Sequence, residues 1–221
     1  MKHKNKKKHL YFRTLGNVLI IGGIFILLKT FFFPVKEELA YLYKNMTGAE
    51  YEVEAPRPTG QLQSLIKKGK KQIIVPADTQ FSIVIPKMQA NSRVIANVDP
   101  SNESIYLDAL NKGVAHAAGT AYPGERGHIF LFAHSTDYFW NIQSYNAIFY
   151  LLYKLEKGDE INVFYKGQRY VYEMDSSKIV DPSEVDYLTR KTSDESLTLQ
   201  TCWPPGTTLK RLLVFAKPVV K

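Results

Sequence analysis

The chain is nearly free of cysteine, since Cys202 is the only one among 221 residues. A single cysteine excludes an internal disulfide, and by itself it cannot build a zinc or iron–sulfur site. The scattered acidic residues show no clear spacing of calcium ligands, so we predict neither a metal nor another cofactor. Internal repeats and low-complexity blocks are also missing, which argues against a repeat architecture.

Acidic residues are absent from the amino-terminal part of the chain, where none precedes Glu37. The net charge of +8 arises there, because seven cations lie among the first 29 residues: Lys2, Lys4, Lys6, Lys7, Lys8, Arg13 and Lys29. The rest of the chain is close to neutral. We therefore expect no general basic groove for phosphate backbones, and we exclude nucleic acid as a partner.

An apolar stretch follows the basic residues. Residues 15–33 are long enough, at about 1.5 Å per residue, to cross a hydrocarbon core of roughly 30 Å. Cations before the stretch and acids after it predict a cytoplasmic amino terminus and an extracellular remainder. We predict a single-pass anchor in the plasma membrane. A cleaved signal peptide and a buried core helix are the alternatives, although no small-residue cleavage site closely follows Leu28.

The stretch divides the chain into four predicted regions. Residues 1–14 are a basic cytoplasmic tail, 15–33 the transmembrane anchor, 34–77 a spacer, and 78–221 a catalytic domain. The spacer contains Pro56, Pro58 and a second run of lysines, which we interpret as a solvated linker rather than a lipid-headgroup site.

The predicted domain is mainly β. Short apolar runs bounded by glycine, proline and asparagine are typical of strands. We predict strands over 81–85, 93–98, 129–133, 160–165, 169–174, 197–202 and 211–216, with short helices over 103–110 and 147–155. So many short strands with so few helices indicate a closed or nearly closed β-barrel.

Three residues at the ends of these strands carry chemistry. Cys202 ends the run 198–202, His134 ends the run 129–133, and Arg211 opens the run 212–216. A thiolate is the best side-chain nucleophile near neutral pH, and an imidazole can accept its proton. Arginine supplies fixed positive charge for an oxyanion. Together they predict a thiol-based acyl-transfer site.

Strand geometry supports this grouping in part. Thr198, Gln200 and Cys202 share one face of a strand, and a hairpin returns Arg211 to the thiol. His128 and His134 are about 20 Å apart along a strand, so only one of them can lie in the site. Asp137 either orients His134 as in a triad or is a solvated loop carboxylate.

The same residues lie in blocks that resemble the sortases, the membrane-anchored cysteine transpeptidases of bacterial surfaces. The resemblance covers roughly residues 81–217. Its blocks, in order, are Ala109-Leu110, Gly113-Val114-Ala115-His116, Gly119-Thr120, Pro123-Gly124-Glu125, Gly127, Phe132-Ala133-His134-Ser135, Gly158-Asp159, Thr198-Leu199-Gln200-Thr201-Cys202, Arg211 and Ala216. His128, where the family often has asparagine, and Trp203 depart from the pattern.

The resemblance implies a sortase-type barrel in which His134, Cys202 and Arg211 are catalytic. It also implies that a C-terminal sorting signal of a secreted protein, Leu-Pro-x-Thr-Gly-like, is cut after the threonine. The acyl group would pass through a Cys202 thioester to an amine of a cell-wall peptide or a pilin lysine. The alternatives are an inactive membrane-tethered binding module and a cysteine peptidase that uses water as acceptor.

Three further residues are candidates for contact with substrate. Thr201 adjoins the nucleophile, Thr120 lies in a resemblance block, and Trp203 begins the loop that borders the expected groove. For Trp203, packing inside the domain is the alternative.

Overall fold

The computed structural model describes residues 2–48, 51–54, 72–135 and 147–219. The chain divides into two compact units, Met1–Gly48 and Ala49–Lys221. The first unit is a helix and the second contains a β-barrel. The predicted lysine-rich part of the spacer and Asp137 lie outside the described residues.

The first unit is a single helix, α1 (Lys2–Thr47). Its segment Tyr11–Phe32 is long and apolar enough to cross a membrane, as judged by length and composition. Large apolar side chains such as Ile20 and Phe25 are 62% and 65% exposed. Exposing these apolar side chains to water costs free energy, and insertion into a lipid bilayer would avoid that cost. The helix also runs beyond the predicted anchor, through Pro34 and into the predicted spacer.

The second unit contains ten strands and two short α-helices within its described residues. The strands are β1 (Tyr51–Val53), β2 (Gln72–Ile74), β3 (Phe81–Ile85), β4 (Ala90–Val98), β5 (Val114–Ala117), β6 (His128–Phe132), β7 (Glu160–Tyr165), β8 (Gln168–Val180), β9 (Ser196–Trp203) and β10 (Lys210–Pro218). The helices are α2 (Glu103–Lys112) and α3 (Asp186–Thr189). Two 3-10 turns cover Pro86–Met88 and Leu152–Lys154.

Eight strands close a barrel in the order β10-β8-β7-β3-β4-β5-β6-β9. Most neighbours are antiparallel, but β4 pairs in parallel with β5, and β6 pairs in parallel with β9. A parallel pair needs a crossover connection, which α2 supplies between β4 and β5. The closed sheet confirms the predicted β-barrel.

Apolar strands form the wall and fill the interior. Every residue of β3 and of β6 is buried, including the polar side chains of Ser82 and His128. Ile83, Ile129 and Leu199 are fully buried. Each such side chain contributes about 1.5–3 kcal/mol relative to an exposed position.

The β1–β2 pair extends the barrel unit into the predicted spacer 34–77. Val53 is 4% exposed and packs against Val84 and Phe164 of the barrel. The Arg169 guanidinium donates a 2.9 Å hydrogen bond to the Val53 carbonyl. The described residues of β1 and β2 therefore belong to the same compact unit as the barrel.

The local signals around α2 explain how the chain reverses there. The Asn102 side chain accepts a hydrogen bond from the Ile105 amide at the start of the helix, as an N-cap does. Gly113 ends the helix where a Cβ would clash with the Arg93 carbonyl oxygen. Only glycine fits this close approach of two backbones. The chain can then enter β5 directly beside β4.

Candidate active site

The candidate site lies where β6 and β9 end. The two strands are parallel, and Phe132 pairs with Gln200. Parallel strands present the same end at one edge of a sheet, so the residues that follow Phe132 and Gln200 come to that edge together. These residues include His134, two positions after β6, and Cys202, the second-to-last residue of β9. The pairing brings together two residues that are 68 positions apart.

Arg211 joins the site from β10. It lies directly opposite Cys202 in the antiparallel β9–β10 pair. Directly opposed residues have Cβ atoms about 4.5–5.5 Å apart and point to the same face of the sheet. The hairpin therefore returns the arginine to the thiol, as expected from the sequence.

The environment of the thiol sets its resting protonation. Cys202 is half-buried. Burial raises the pKa of the Cys202 thiol, while the positive charge of Arg211 acts in the opposite direction. A thiol whose pKa is raised is largely protonated near neutral pH, so it requires a base before it can act as a nucleophile.

The guanidinium of Arg211 is held by the loop between β9 and β10. Its Nη1 donates to the Thr208 carbonyl at 3.0 Å and to the Lys210 carbonyl at 3.1 Å. Arginine carries five donor hydrogens in a planar fork, so one nitrogen can be anchored while others remain available. Arg211 is thus a fixed cation beside the thiol.

The backbone that carries His134 is held on both sides. The Thr201 hydroxyl donates to the Ala133 carbonyl at 2.9 Å, and the Ala133 amide donates to the Gln200 carbonyl at 3.1 Å. The Phe149 amide donates to the His134 carbonyl at 3.2 Å. These bonds extend the β6–β9 pairing past the end of β6 and fix where the imidazole emerges.

Two of the three predicted substrate contacts have hydroxyl groups engaged inside the protein. Thr201 is 3% exposed and lies on the face of β9 opposite to Cys202. The Thr120 hydroxyl donates to the Ala117 carbonyl at 2.8 Å and lies 3.0 Å from Nε2 of His116. The Thr120 hydroxyl also accepts a 3.4 Å hydrogen bond from the Phe130 amide in the middle of β6.

Trp203 is the third predicted substrate contact. It is half-buried, follows Cys202 in β9, and packs against Tyr153 with ring centroids 5.4 Å apart. Tyr153 belongs to the Leu152–Lys154 turn of the segment that also holds the His134 carbonyl. An aromatic contact therefore links the end of β9 to the segment that holds the His134 carbonyl.

His128 is separated from the site, as the distance along β6 predicts. It is 4% exposed, and its Nε2 lies 2.8 Å from the Thr198 hydroxyl. Nδ1 of His128 is buried without a hydrogen-bond partner among the described residues. Burial, and secondarily the charge of Arg190, lowers the pKa of His128 to about 4. This imidazole is neutral in the folded protein at neutral pH.

A buried apolar cluster joins β5, β6 and β10 to α2. Its buried members include Leu110, Phe132, Val180 and Leu213, and residues of α3 pack against its edge. Within the described residues, no cluster of three or more histidine, cysteine, aspartate or glutamate side chains could hold a metal ion. The site thus combines a half-buried thiol and a fixed cation.

Comparison with known proteins gives this arrangement a family. A model of the sortase domain matches residues 83–219. Sortase D of Bacillus subtilis (strain 168) is 29% identical over 183 residues, which cover 79% of this chain and 84% of that protein. The chain belongs to the sortase family, whose members are generally transpeptidases.

Solved structures agree in fold. A Clostridium perfringens Sortase D5 transpeptidase is 25% identical, with a TM-score of 0.52 over 65% of this chain and 80% of that one. Sortase C-1 from Actinomyces oris is 31% identical, with a TM-score of 0.53 over 66% of this chain and 76% of that one. These similarities confirm the sortase-type barrel expected from the sequence.

Proposed function

We propose that this protein is a cysteine transpeptidase in which Cys202, His134 and Arg211 are the catalytic residues. The observation that carries the proposal is the position of Cys202, directly opposite Arg211 on β10 and beside the end of the parallel strand that leads to His134. Membership in the sortase family supports the same assignment.

The first half-reaction forms a thioester. His134 takes the proton from the Cys202 thiol, and the thiolate attacks the carbonyl carbon of the scissile peptide bond. The tetrahedral oxyanion is stabilised by the guanidinium of Arg211. The C–N bond then breaks, and His134 gives its proton to the leaving amine. The raised pKa of the thiol makes this proton transfer necessary before attack.

The second half-reaction consumes the thioester. An acceptor amine attacks the thioester carbonyl, His134 takes a proton from the amine, and the Cys202 thiolate leaves. We propose that the acyl donor is a Leu-Pro-x-Thr-Gly-like C-terminal sorting signal of a secreted protein, cut after the threonine. The acceptor is an amine of a cell-wall peptide or a pilin lysine.

The proposed location follows from the charge pattern around the apolar part of α1. Cations precede the segment Tyr11–Phe32, and the first acidic residues follow it. This order favours a cytoplasmic amino terminus and an extracellular barrel unit. Protease added to intact cells should then degrade the barrel unit. Full protection of that unit in intact cells, followed by degradation after lysis, would contradict this orientation.

The experiment that tests the activity uses the full chain in detergent micelles. Leu-Pro-x-Thr-Gly peptides are supplied with triglycine as the amine, and products are identified by mass spectrometry, with Cys202→Ala as the matched control. We expect an amine-linked product and a covalent acyl adduct that need Cys202. Hydrolysis alone would favour the peptidase alternative. An absence of Cys202-dependent cleavage with any peptide would contradict the proposal and favour the binding module.

A further inference from the structure

The helix α1 continues beyond its apolar segment Tyr11–Phe32 and carries a second apolar pattern there. Four large side chains of this continuation are between 51% and 87% exposed: Val35, Leu39, Leu42 and Met46. Their spacing of four, three and four residues is the heptad spacing, which keeps side chains on one face of a helix. Glu37 and Lys44 take the opposite face. We call the four apolar residues the heptad stripe.

The heptad stripe extends past the part of the helix that a bilayer would cover. Met46 follows Phe32 by fourteen positions of one unbroken helix, which at about 1.5 Å per residue is about 21 Å. The headgroup layer on one side of a bilayer is only about 5–8 Å thick. Leu42 and Met46 therefore reach water beyond the headgroups, where exposed apolar surface costs free energy unless another molecule covers it.

A second copy of the same helix is the partner that this spacing fits. Two helices supercoil around each other when apolar residues repeat every 3.5 residues on average, and each apolar side chain then packs among four residues of the other helix. The positions beside the stripe are compatible with a parallel pair, because Glu38 of one copy would face Tyr43 of the other. A carboxylate accepts a hydrogen bond from a phenol, so no like charges are opposed there.

The proposed anchor gives the second copy the required orientation. Every copy carries the same cations before the segment Tyr11–Phe32, so all copies insert in the same direction. Two heptad stripes then lie parallel and at the same height above the bilayer, which is the register of a parallel coiled coil. A helical pair this short is marginal in solution. Confinement to one membrane raises the effective concentration of the two copies and compensates for this weakness.

Resting on the proposed membrane anchor rather than on the catalytic mechanism, we propose that the heptad stripe is the interface of a parallel dimer of this chain in the membrane. The stripe of one copy packs against the stripe of the other, just outside the bilayer. The contact uses no residue of the candidate active site, so it does not depend on whether Cys202 is catalytic.

The test is disulfide trapping of the full chain in liposomes of phosphatidylcholine and phosphatidylglycerol. Cys202→Ala removes the native cysteine, and one new cysteine is then placed in each variant. The stripe variants are Val35→Cys, Leu39→Cys, Leu42→Cys and Met46→Cys, and the matched controls are Glu37→Cys and Ala40→Cys. Two cysteines form a disulfide only when their Cα atoms are within about 7 Å. Facing positions of paired helices meet this condition, whereas outward positions are separated by helices about 10 Å wide.

We expect mild oxidation to convert the four stripe variants largely to dimers on a non-reducing gel, with loss of the dimer in Glu37→Cys and Ala40→Cys. Adding Leu39→Ser and Leu42→Ser to Val35→Cys should abolish the trapped dimer, because the apolar contact is lost. Adding Ala40→Ser instead should leave it intact. Equal trapping at all six positions would overturn the inference, since it indicates random collision.

Reaction of the same cysteines with a water-soluble maleimide distinguishes other molecules that could cover the stripe. Stripe cysteines that are shielded from the maleimide but form no dimer would assign the stripe to lipid or to the barrel unit of the same chain. Stripe cysteines that react freely and form no dimer would show that nothing covers it. Either result would overturn the inference.

Failure of this inference is distinguishable from failure of the proposed function. A chain that stays in the liposomes during an alkaline carbonate wash, but forms no stripe-dependent dimer, keeps its anchor and loses the dimer. A chain that the wash releases contradicts the anchor and the dimer together. The peptide assay with native Cys202 tests the transpeptidase function separately, because the trapping variants lack that thiol.

Discussion

His128 and His134 lie at opposite ends of the same strand pair, β6 and β9, and the protein holds them differently. At the beginning of β6, His128 is 4% exposed and bonded to the buried Thr198. Past the end of β6, His134 is half-buried, and its backbone is held from two sides. The first arrangement keeps the imidazole neutral and enclosed. The second leaves an imidazole partly exposed at the edge of the sheet to which Cys202 and Arg211 also come.

This difference shows that two histidines only six residues apart, one in β6 and one just past its end, can differ strongly in burial. Both adjoin the apolar run 129–133, one directly before it and the other directly after it. The four predictions below test this separation, from the largest expected effect to the smallest.

The largest effect should come from exchanging each histidine for glutamine. We expect His134→Gln to lower kcat/KM by about 10³-fold with the melting temperature nearly unchanged, because a proton carrier is lost while packing is preserved. His128→Gln should do the reverse and lower the melting temperature with kcat/KM retained. Peptide kinetics and thermal unfolding measure the two effects. Equal loss of activity in both variants would abolish the comparison.

Acid should destabilise the buried end. The pKa of His128 is lowered to about 4 in the fold, whereas the unfolded chain binds the proton near pH 6.5. The unfolded state therefore binds more protons between these values, and stability falls as the pH decreases from about 6.5 to about 4. The loss from His128 is at most about 3 kcal/mol.

Urea unfolding at pH 7, 5.5 and 4.5 checks this expectation, with His128→Asn as the comparison. The variant should show a shallower loss. Burial also lowers the pKa of His116, so part of the slope should remain in the variant. Identical pH dependence in the two proteins would show that His128 does not contribute.

A smaller effect is expected from the hydroxyl that holds the His134 segment. Thr201→Val preserves shape but leaves the buried Ala133 carbonyl without its 2.9 Å donor. We expect the free energy of unfolding to decrease by about 1–2 kcal/mol. Thr201→Ser keeps the hydroxyl and should recover most of the difference in a urea titration. A serine variant as unstable as the valine variant would assign the effect to packing instead.

The smallest effect should come from the ion pair next to Arg211. Lys210 contacts Asp181 at 2.6 Å, but both side chains are about half exposed. Solvent-exposed pairs contribute little, so Lys210→Ala should change the free energy of unfolding by less than about 1 kcal/mol. The Lys210 carbonyl that Arg211 uses remains in the variant. A large drop in kcat/KM would show that the charge of Lys210 also acts in the site.

Much of the barrel follows from local patterns. Alternating and apolar runs in the sequence predict β3, β7, β8, β9 and β10. Such runs bury their apolar side chains in whichever sheet they join. The strand β5 (Val114–Ala117) was missed, since its four residues directly follow α2 and have no distinct pattern of their own. The pair β1–β2 was also missed, because its stability depends on packing of Val53 against Val84 and Phe164.

The candidate site, too, was predictable from the sequence only in part. The sequence singles out Cys202, His134 and Arg211 by residue type and by position at strand ends, and it places Gln200 on the face of Cys202. Thr201 and Thr120 were predicted to contact substrate from their neighbours in the sequence. The structure shows their hydroxyl groups bonded to the Ala133 and Ala117 carbonyls. The first carbonyl is distant from its partner in the sequence, and the second lies across a turn. Neither hydrogen bond can therefore be predicted from the order of residues alone.

By itself, the sequence determined the family, the apolar segment near the amino terminus, and the three residues suited to thiol chemistry, because these depend on composition, order and spacing. Only the tertiary structure decided that β6 and β9 are parallel neighbours. That pairing brings residues 68 positions apart to one edge of the sheet. It also encloses one histidine and leaves the other accessible, since burial depends on packing between segments distant in the chain.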